Sequence, residues 1–102
     1  MKILDYEPQL WYLAESDDAL FLDVNCNHSF LGYSWMIQLS AEEMNRFETR
    51  GREYLSELAQ EIHHSAPIVA GSTSRFKGRD VTDAMNDEML TAIEAWDKRK
   101  ST

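Results

Sequence analysis

The chain has 102 residues, of which 43 % are hydrophobic and 27 % are charged. These values are typical of a folded protein and exclude a disordered, collagenous or low-complexity chain, so we expect one domain spanning residues 1–102. Eighteen acidic residues against ten basic ones give a formal net charge of −8, which argues against nucleic acid and anionic membranes as partners because both repel an acidic surface.

The predicted compartment rests on the first residues and on cysteine usage. The apolar pair Ile3 and Leu4 is followed by an acid, Asp5, whereas a signal peptide needs about 7–15 apolar residues and a membrane span about 20. Cys26 is the one cysteine of the chain, so it has no partner for an intramolecular disulfide. We therefore expect a cytoplasmic protein.

Three segments of the first forty residues have the patterns of β-strands. Apolar and aromatic residues are concentrated at 9–15 and 19–25, and the Ser-Asp-Asp segment between them favours a turn because its side chains bond to nearby backbone. Alternating apolar residues over 31–39 predict a third strand. Short connections predict an antiparallel meander in which the aliphatic face, Leu22 included, meets the core.

Two helices are predicted after the strands. Ser40 and Glu43 have the spacing of a capping box, and apolar residues then recur every three or four positions, which predicts a helix over 41–64. Gly51 lies on the apolar stripe, where we expect it to allow a close approach to the sheet; a kink is the alternative. Asp80 suits the N-terminus of the second helix.

The predicted fold class is therefore α+β, in the order β-β-β-α-loop-α. Both helices are expected to pack on one face of a three-stranded antiparallel sheet, because the aliphatic strand residues share that face. The loop at residues 65–79 is the most irregular segment, since it is rich in serine and glycine. The second face of the sheet is expected to be open.

The open sheet face is the first candidate site. It mixes aromatic side chains and methionine with small polar residues, which is typical of protein interfaces. Its residues are Trp11, Tyr12, Phe21, Asp23, Asn25, Ser34, Met36 and Gln38, with one aromatic of the adjacent pair at 11 and 12 facing outward. The alternative is that the 65–79 loop covers part of this face, or that the face is exposed without a function.

One cysteine and three histidines form a second candidate site, for a metal or a small ligand. Cys26 and His28 follow the second strand, and His63 and His64 end the first helix. A strand of about ten residues and a helix of about 24 have similar lengths, so a helix packed back along the strand would bring these side chains together, in types that zinc accepts. The alternative is histidines interacting with the helix dipole and a buried structural cysteine.

Arg75, Lys77 and Arg79 form a third candidate site. They precede a predicted helix N-terminus, where cations and backbone amides attract an anion. The alternative is a solvated loop whose basic residues balance nearby acids. The charge distribution leaves both interpretations open, because residues 46–79 contain six basic and four acidic residues, whereas residues 1–45 contain one basic and eight acidic residues.

Signatures of catalysis and of cofactor binding are absent from the sequence. No nucleophile lies in a frame such as Gly-x-Ser-x-Gly, and the glycine spacing fits neither a P-loop nor a dinucleotide fingerprint. The paired carboxylates at 17–18 and 42–43 are explained by a turn and a helix cap. The sequence favours a binding protein over an enzyme, and we expect no cofactor.

Size and charge together predict a small acidic module for protein–protein interaction. Its expected partner is a protein with a basic surface, by analogy with immunity-type and regulatory inhibitors, because complementary charge steers encounter; self-association is the other expectation for the same surface. The alternative function is a small-ligand or metal-binding protein that uses Cys26, His28, His63 and His64.

Overall fold

The computed structural model describes residues 1–28 and 31–101, with the side chains of His28, Leu31 and residues 98–101 outside the description. The strands are β1 Lys2–Glu7, β2 Trp11–Ser16, β3 Ala19–His28 and β4 Leu31–Gln38. The helices are α1 Ala41–Arg50, α2 Arg52–Ser65 and α3 Thr82–Ser101, with a 3-10 turn at Lys77–Arg79. The fold is α+β, with an antiparallel sheet in the order β1-β2-β3-β4.

The sheet has four strands, so the prediction of three strands is wrong. The additional strand is β1, which pairs antiparallel with β2. A shift of register between Ile3 and Asp5 interrupts the two-residue alternation of its side chains. Ile3 is the one buried residue of β1. An edge strand with a single buried side chain and a bulge lacks the periodic signal from which strands are predicted.

The predicted hairpin and the predicted third strand are confirmed. β2 and β3 pair as far as Ser16 opposite Ala19. Between them, Asp17 and Asp18 have φ angles of 50° and 66°, both positive as in a type I′ turn, whose twist matches that of the flanking strands. β4 pairs antiparallel with β3, which completes the meander.

The helices cover both faces of the sheet, so the prediction that they share one face is wrong. The core on the α2 side includes Leu13, Leu22, Ile37, Leu55, Leu58 and Ile62. The core on the α3 side includes Ile3, Ala14, Phe21, Met36, Met89 and Ala92. The second face is covered because Phe21 and Met36 make it apolar too, and burying such side chains is favourable by about 1.5–3 kcal/mol each.

Gly51 divides the predicted helix 41–64 into α1 and α2. Its φ of 69° and ψ of −152° lie in a region that is essentially restricted to glycine. No heavy atom lies within 4 Å of the position that a Cβ would take, so the expected close approach to the sheet is wrong and the alternative, a kink, is correct. The predicted capping box is confirmed, since Ser40 and Glu43 exchange both hydrogen bonds.

Residues 66–81 connect α2 to α3 along the edge of β4. The Trp35 Nε1 donates a hydrogen bond to the carbonyl of Phe76 at 3.1 Å, and the Phe76 side chain is fully buried. The Val81 amide donates to the carbonyl of Met36 at 2.8 Å. The connection therefore pairs with part of an edge that would otherwise expose backbone groups. Among the described residues, none of the helices has the length and apolar character needed to cross a membrane.

Candidate functional site

α3 covers part of the sheet face on which it packs, and a cleft of about 330 Å³ lies beside it. The strands contribute Tyr12, Asp23, Asn25 and Ser34 to the cleft, and α3 contributes Asn86, Leu90 and Ile93. The end of β1 contributes Glu7, the β1–β2 turn contributes Gln9 and Leu10, and the start of β2 contributes Trp11. This volume is at the lower end of the range of ligand pockets, roughly 300–1,000 Å³.

Strand register places the polar residues of the cleft together. Tyr12 lies opposite Asp23 in the β2–β3 pair, and Asn25 lies opposite Ser34 in the β3–β4 pair. Successive side chains of a strand point to opposite faces. Val24, between the two polar residues of β3, is therefore buried against α2, whereas Asp23 and Asn25 lie on the α3 side.

The β1–β2 turn is held in one geometry at the rim of the cleft. Gln9 has a φ of 66°, in the left-handed region that residues other than glycine rarely adopt. Its backbone carbonyl accepts a hydrogen bond from the side-chain Nδ2 of Asn25 at 3.0 Å. The backbone N–H of Asn25 donates to the backbone carbonyl of Leu10 at 2.9 Å. These bonds order the rim in advance, which lowers the entropy cost of binding a ligand there.

None of the described residues that line the cleft supplies a counter-charge to Asp23. Its Oδ1 is buried and has no hydrogen-bond partner among the described residues, which leaves Oδ2 as the oxygen available to a ligand. Burial, and to a smaller degree the charge of Asp80, raises the pKa of Asp23 to about 6. Glu7 is already paired with Arg52 at 2.7 Å, and the described lining contains no lysine, arginine or histidine.

The rim of the cleft is aliphatic. Leu10 and Leu90 are 41 % and 51 % exposed, and they are two of the four large apolar side chains that are exposed among the described residues. Both line the cleft, together with the partly buried Ile93. An acidic floor beneath an exposed aliphatic rim suits a group that combines a positive charge with an apolar stem.

The predicted open face needs correction, because α3 covers part of it. Phe21 and Met36 are buried in the core beneath α3, and the Trp11 side chain is buried on the other face, with its Nε1 donating to the Ser56 Oγ at 3.2 Å. Gln38 is exposed at the end of β4 and does not line the cleft. The four remaining residues of the predicted surface line the cleft: Tyr12, Asp23, Asn25 and Ser34.

α3 provides cover on this face, whereas Phe76 of the 65–79 loop is buried in the core on the opposite, α2 side. The α3 wall and the rim were missed by sequence reasoning. The sequence does contain one indication of the α3 wall: Asn86 and Leu90 are four residues apart, so they lie next to each other on one face of the helix. It becomes informative only when α3 is known to pack beside Asp23.

Among the described residues, Cys26, His63 and His64 do not belong to a group that could hold a metal ion. Cys26 is buried in the core on the α2 side, and burial raises the pKa of its thiol to about 11, which disfavours the thiolate that binds metals. α2 does return along β3, since His63 lines a small cavity with Val24; its ring stacks on that of His64 at 5.4 Å between centroids. The side chain of His28 lies outside the described residues, which contain no group able to hold a metal ion.

The three loop cations bind partners within the chain. Arg79 donates two hydrogen bonds to Glu43, at 2.6 and 2.9 Å. Arg75 donates two to Glu61, at 2.7 and 3.1 Å. The Lys77 Nζ donates to two backbone carbonyls of the same loop. This arrangement favours the alternative expectation, in which the loop cations balance nearby acids, over an anion site.

Comparisons with models of protein families, with curated proteins and with solved structures found no significant match to this chain. What can be said of its function therefore comes from its own geometry. The arrangement is that of a small α+β protein with one helix set beside a sheet so that a ligand-sized cleft remains between them.

Proposed function

We propose that this chain is a non-catalytic, acidic, cytoplasmic binding module that takes a cationic side chain of a partner protein into the cleft beside Asp23. The observation that carries the proposal is the Asp23 carboxylate, with Oδ1 buried and unbonded, in a cleft whose described lining supplies no cation. A partly buried charge is costly when it is unpaired and one of its oxygens is buried without a hydrogen bond. A cation from a partner would supply that pairing.

The distribution of charge supports a basic partner. The first 45 residues contain eight acids and one base, and they include the whole sheet from which the floor of the cleft is built. Complementary charge accelerates encounter and rejects acidic competitors. A regulatory inhibitor of a basic protein would use such a surface. Arg75 and Arg79 of a second copy are less suitable sources of the cation, because they are already paired with acids of their own chain.

The exposed aliphatic rim supports a protein as the source of the cation. Leu10 and Leu90 flank the cleft and remain exposed to solvent, so a partner surface that surrounds an inserted side chain would bury them as well. Interfaces commonly consist of one anchoring side chain in a pocket, surrounded by contacts that exclude water. A small amine is the second candidate ligand, since the cleft volume of about 330 Å³ also suits a small molecule.

Selection of peptides from a random-sequence phage library tests this proposal. Peptides recovered on the wild-type protein should be enriched in lysine or arginine next to apolar residues, and their binding should shift the NMR signals of the Tyr12, Ser34 and Asn86 amides. Asp23→Asn should abolish the enrichment. Glu48→Gln is the matched control, because it removes one exposed carboxylate on α1, away from the cleft. Enrichment of acidic peptides, or enrichment unaffected by Asp23→Asn, would contradict the proposal.

A further inference from the structure

We infer that the cationic side chain is a lysine, with its ammonium bonded to Asp23 and its aliphatic stem against Leu10 and Leu90. This inference rests on the proposed function and narrows it to one chemical class. Arginine is the competing side chain, and the two differ in the number of carboxylate oxygens and in the shape of cleft that each requires.

The carboxylate of Asp23 offers one oxygen to a ligand. Arginine binds a carboxylate best through two parallel hydrogen bonds from its planar guanidinium, one to each oxygen. The Oδ1 of Asp23 is buried, so this paired geometry is blocked and a single contact at Oδ2 remains. An ammonium is a compact charge that needs only one carboxylate oxygen in a given direction, because its three donors diverge.

Neutral acceptors can satisfy the remaining donors of an ammonium. Ser34 contributes a hydroxyl to the cleft, and Asn86 contributes a side-chain amide from α3. Both groups contain an oxygen that accepts hydrogen bonds. One carboxylate oxygen, with neutral acceptors on the neighbouring strand and helix, suits the three diverging N–H groups of an ammonium better than it suits a planar guanidinium.

The aliphatic rim matches the stem of lysine. Leu90 on α3 and Leu10 on the β1–β2 turn are both exposed at the cleft, with Ile93 deeper along α3. Lysine has four methylene groups below its charge, and such stems pack against apolar surfaces while the charged group stays with polar partners. Exposed leucines on the rim would also contact apolar residues on either side of the lysine, which favours a peptide over a free amine.

Four short peptides test the inference. The probe is acetyl-Leu-Lys-Leu-amide, and its comparisons replace lysine by arginine, by Nε-acetyl-lysine or by norleucine. Dissociation constants come from NMR titrations of the labelled protein. We expect the arginine peptide to bind at least about fivefold more weakly than the lysine peptide, and the two uncharged peptides to bind at least about tenfold more weakly. Free n-butylamine should also bind at least about tenfold more weakly, because it cannot cover the rim.

Two variants, each with a matched control, separate the ammonium contact from the stem contact. Asp23→Asn should abolish binding of the lysine peptide, whereas Glu48→Gln should leave it unchanged. Leu90→Ala should weaken binding severalfold, whereas Ile68→Ala, which shortens an exposed aliphatic side chain outside the cleft, should not.

The outcomes distinguish the inference from the function on which it rests. Equal affinities for the lysine and arginine peptides, both lost with Asp23→Asn, would overturn the lysine preference and leave the cationic binding module standing. If n-butylamine bound with the same affinity as the lysine peptide, the inference that the bound ammonium belongs to a protein would be overturned. Binding of no cationic probe at the cleft would overturn both proposals.

Discussion

Glu43, in the first turn of α1, accepts two hydrogen bonds from the guanidinium of Arg79, which lies 36 residues further along the chain. Glu43 is the one buried charged residue among those described, and it also closes the capping box with Ser40. Arg79 in addition donates to the carbonyl of Gln38 at the end of β4. This pair therefore joins the start of α1, the end of the sheet and the approach to α3.

Glu43→Gln is expected to lower the free energy of unfolding by about 2 kcal/mol at neutral pH. The variant leaves Arg79 partly buried without its counter-charge, and breaking a buried pair on one side is costly; the partial exposure of Arg79 limits the loss. Urea denaturation measures the effect. Glu42→Gln is the control, because Glu42 is exposed and pairs with Arg46 one turn away, which contributes less than about 0.5 kcal/mol. Equal losses in both variants would contradict this account.

The cost of Glu43→Gln should also depend on pH. Burial by itself would raise the pKa of Glu43, but hydrogen bonds from Arg79 and Ser40 outweigh burial and hold that pKa below its ordinary value. A carboxyl with a lowered pKa in the folded state stabilises the fold at neutral pH and loses this effect as the pH falls through the lowered pKa. The stability difference between wild type and variant should therefore shrink in acid.

Asp23→Asn is expected to stabilise the fold at pH 7 by roughly 1–3 kcal/mol. The pKa of Asp23 is raised from 3.8 to about 6, so between these values the folded state holds more protons than the unfolded state. Its contribution to stability is thus favourable in acid and is lost as the pH rises from about 4 through 6. Urea denaturation across this range should show the loss in wild type and in Glu48→Gln, but not in Asp23→Asn. If Asp23→Asn destabilised the fold at pH 7, the conclusion that the charge of Asp23 is uncompensated would be contradicted.

Binding of the lysine peptide should weaken about tenfold between pH 7.5 and pH 5. Only the ionised carboxylate attracts an ammonium, and with a pKa of about 6 roughly one tenth of Asp23 is ionised at pH 5. Two charged groups act around Asp23: Asp80 contributes to its raised pKa, and Glu7 lines the same cleft and is paired with Arg52. NMR titration of the Asp23 side-chain carbonyl should also show a lower pKa when the peptide is bound. An affinity independent of pH would contradict the role of Asp23.

Gly51→Ala is expected to lower the free energy of unfolding by about 1–3 kcal/mol, because alanine is strained at the backbone angles that join α1 to α2. Steric crowding does not contribute to this loss of stability, since the space around the missing Cβ is empty. Gly78→Ala is the matched control: the space there is empty too, and its φ is not in the left-handed region. Thermal unfolding of both variants measures the difference, and equal effects would contradict the backbone explanation.

Local patterns were sufficient to predict much of the fold. The hairpin at Asp17 and Asp18, the strand ending at Gln38 and the capping box of Ser40 and Glu43 each depend on side chains that interact within a few residues or on strict alternation. Such features are encoded locally, so periodicity and turn chemistry reveal them. β1 was missed because it has one buried residue and a bulge, and because pairing with β2 stabilises it.

The candidate site was predictable only in part. Strand alternation placed Asp23, Asn25 and Ser34 on one face, together with either Trp11 or Tyr12. The structure puts the Tyr12 side chain on that face, and all four residues line the cleft. Alternation could not tell which residues of that face remain accessible, and Phe21 and Met36 on the same face are buried. The accessibility of these residues depends on the position of α3, which begins only at Thr82.

The sequence by itself determined the α+β class, the antiparallel meander and the acidic character of the sheet, because these follow from residue type and spacing along a short stretch of chain. Tertiary structure decided that α3 packs opposite α2, that Arg75 and Arg79 are bound by Glu61 and Glu43, and that no described cation lines the cleft that Asp23 shares with Leu90. The physical reason is that burial and charge pairing depend on distances between residues far apart in sequence, which the packing of both sheet faces establishes.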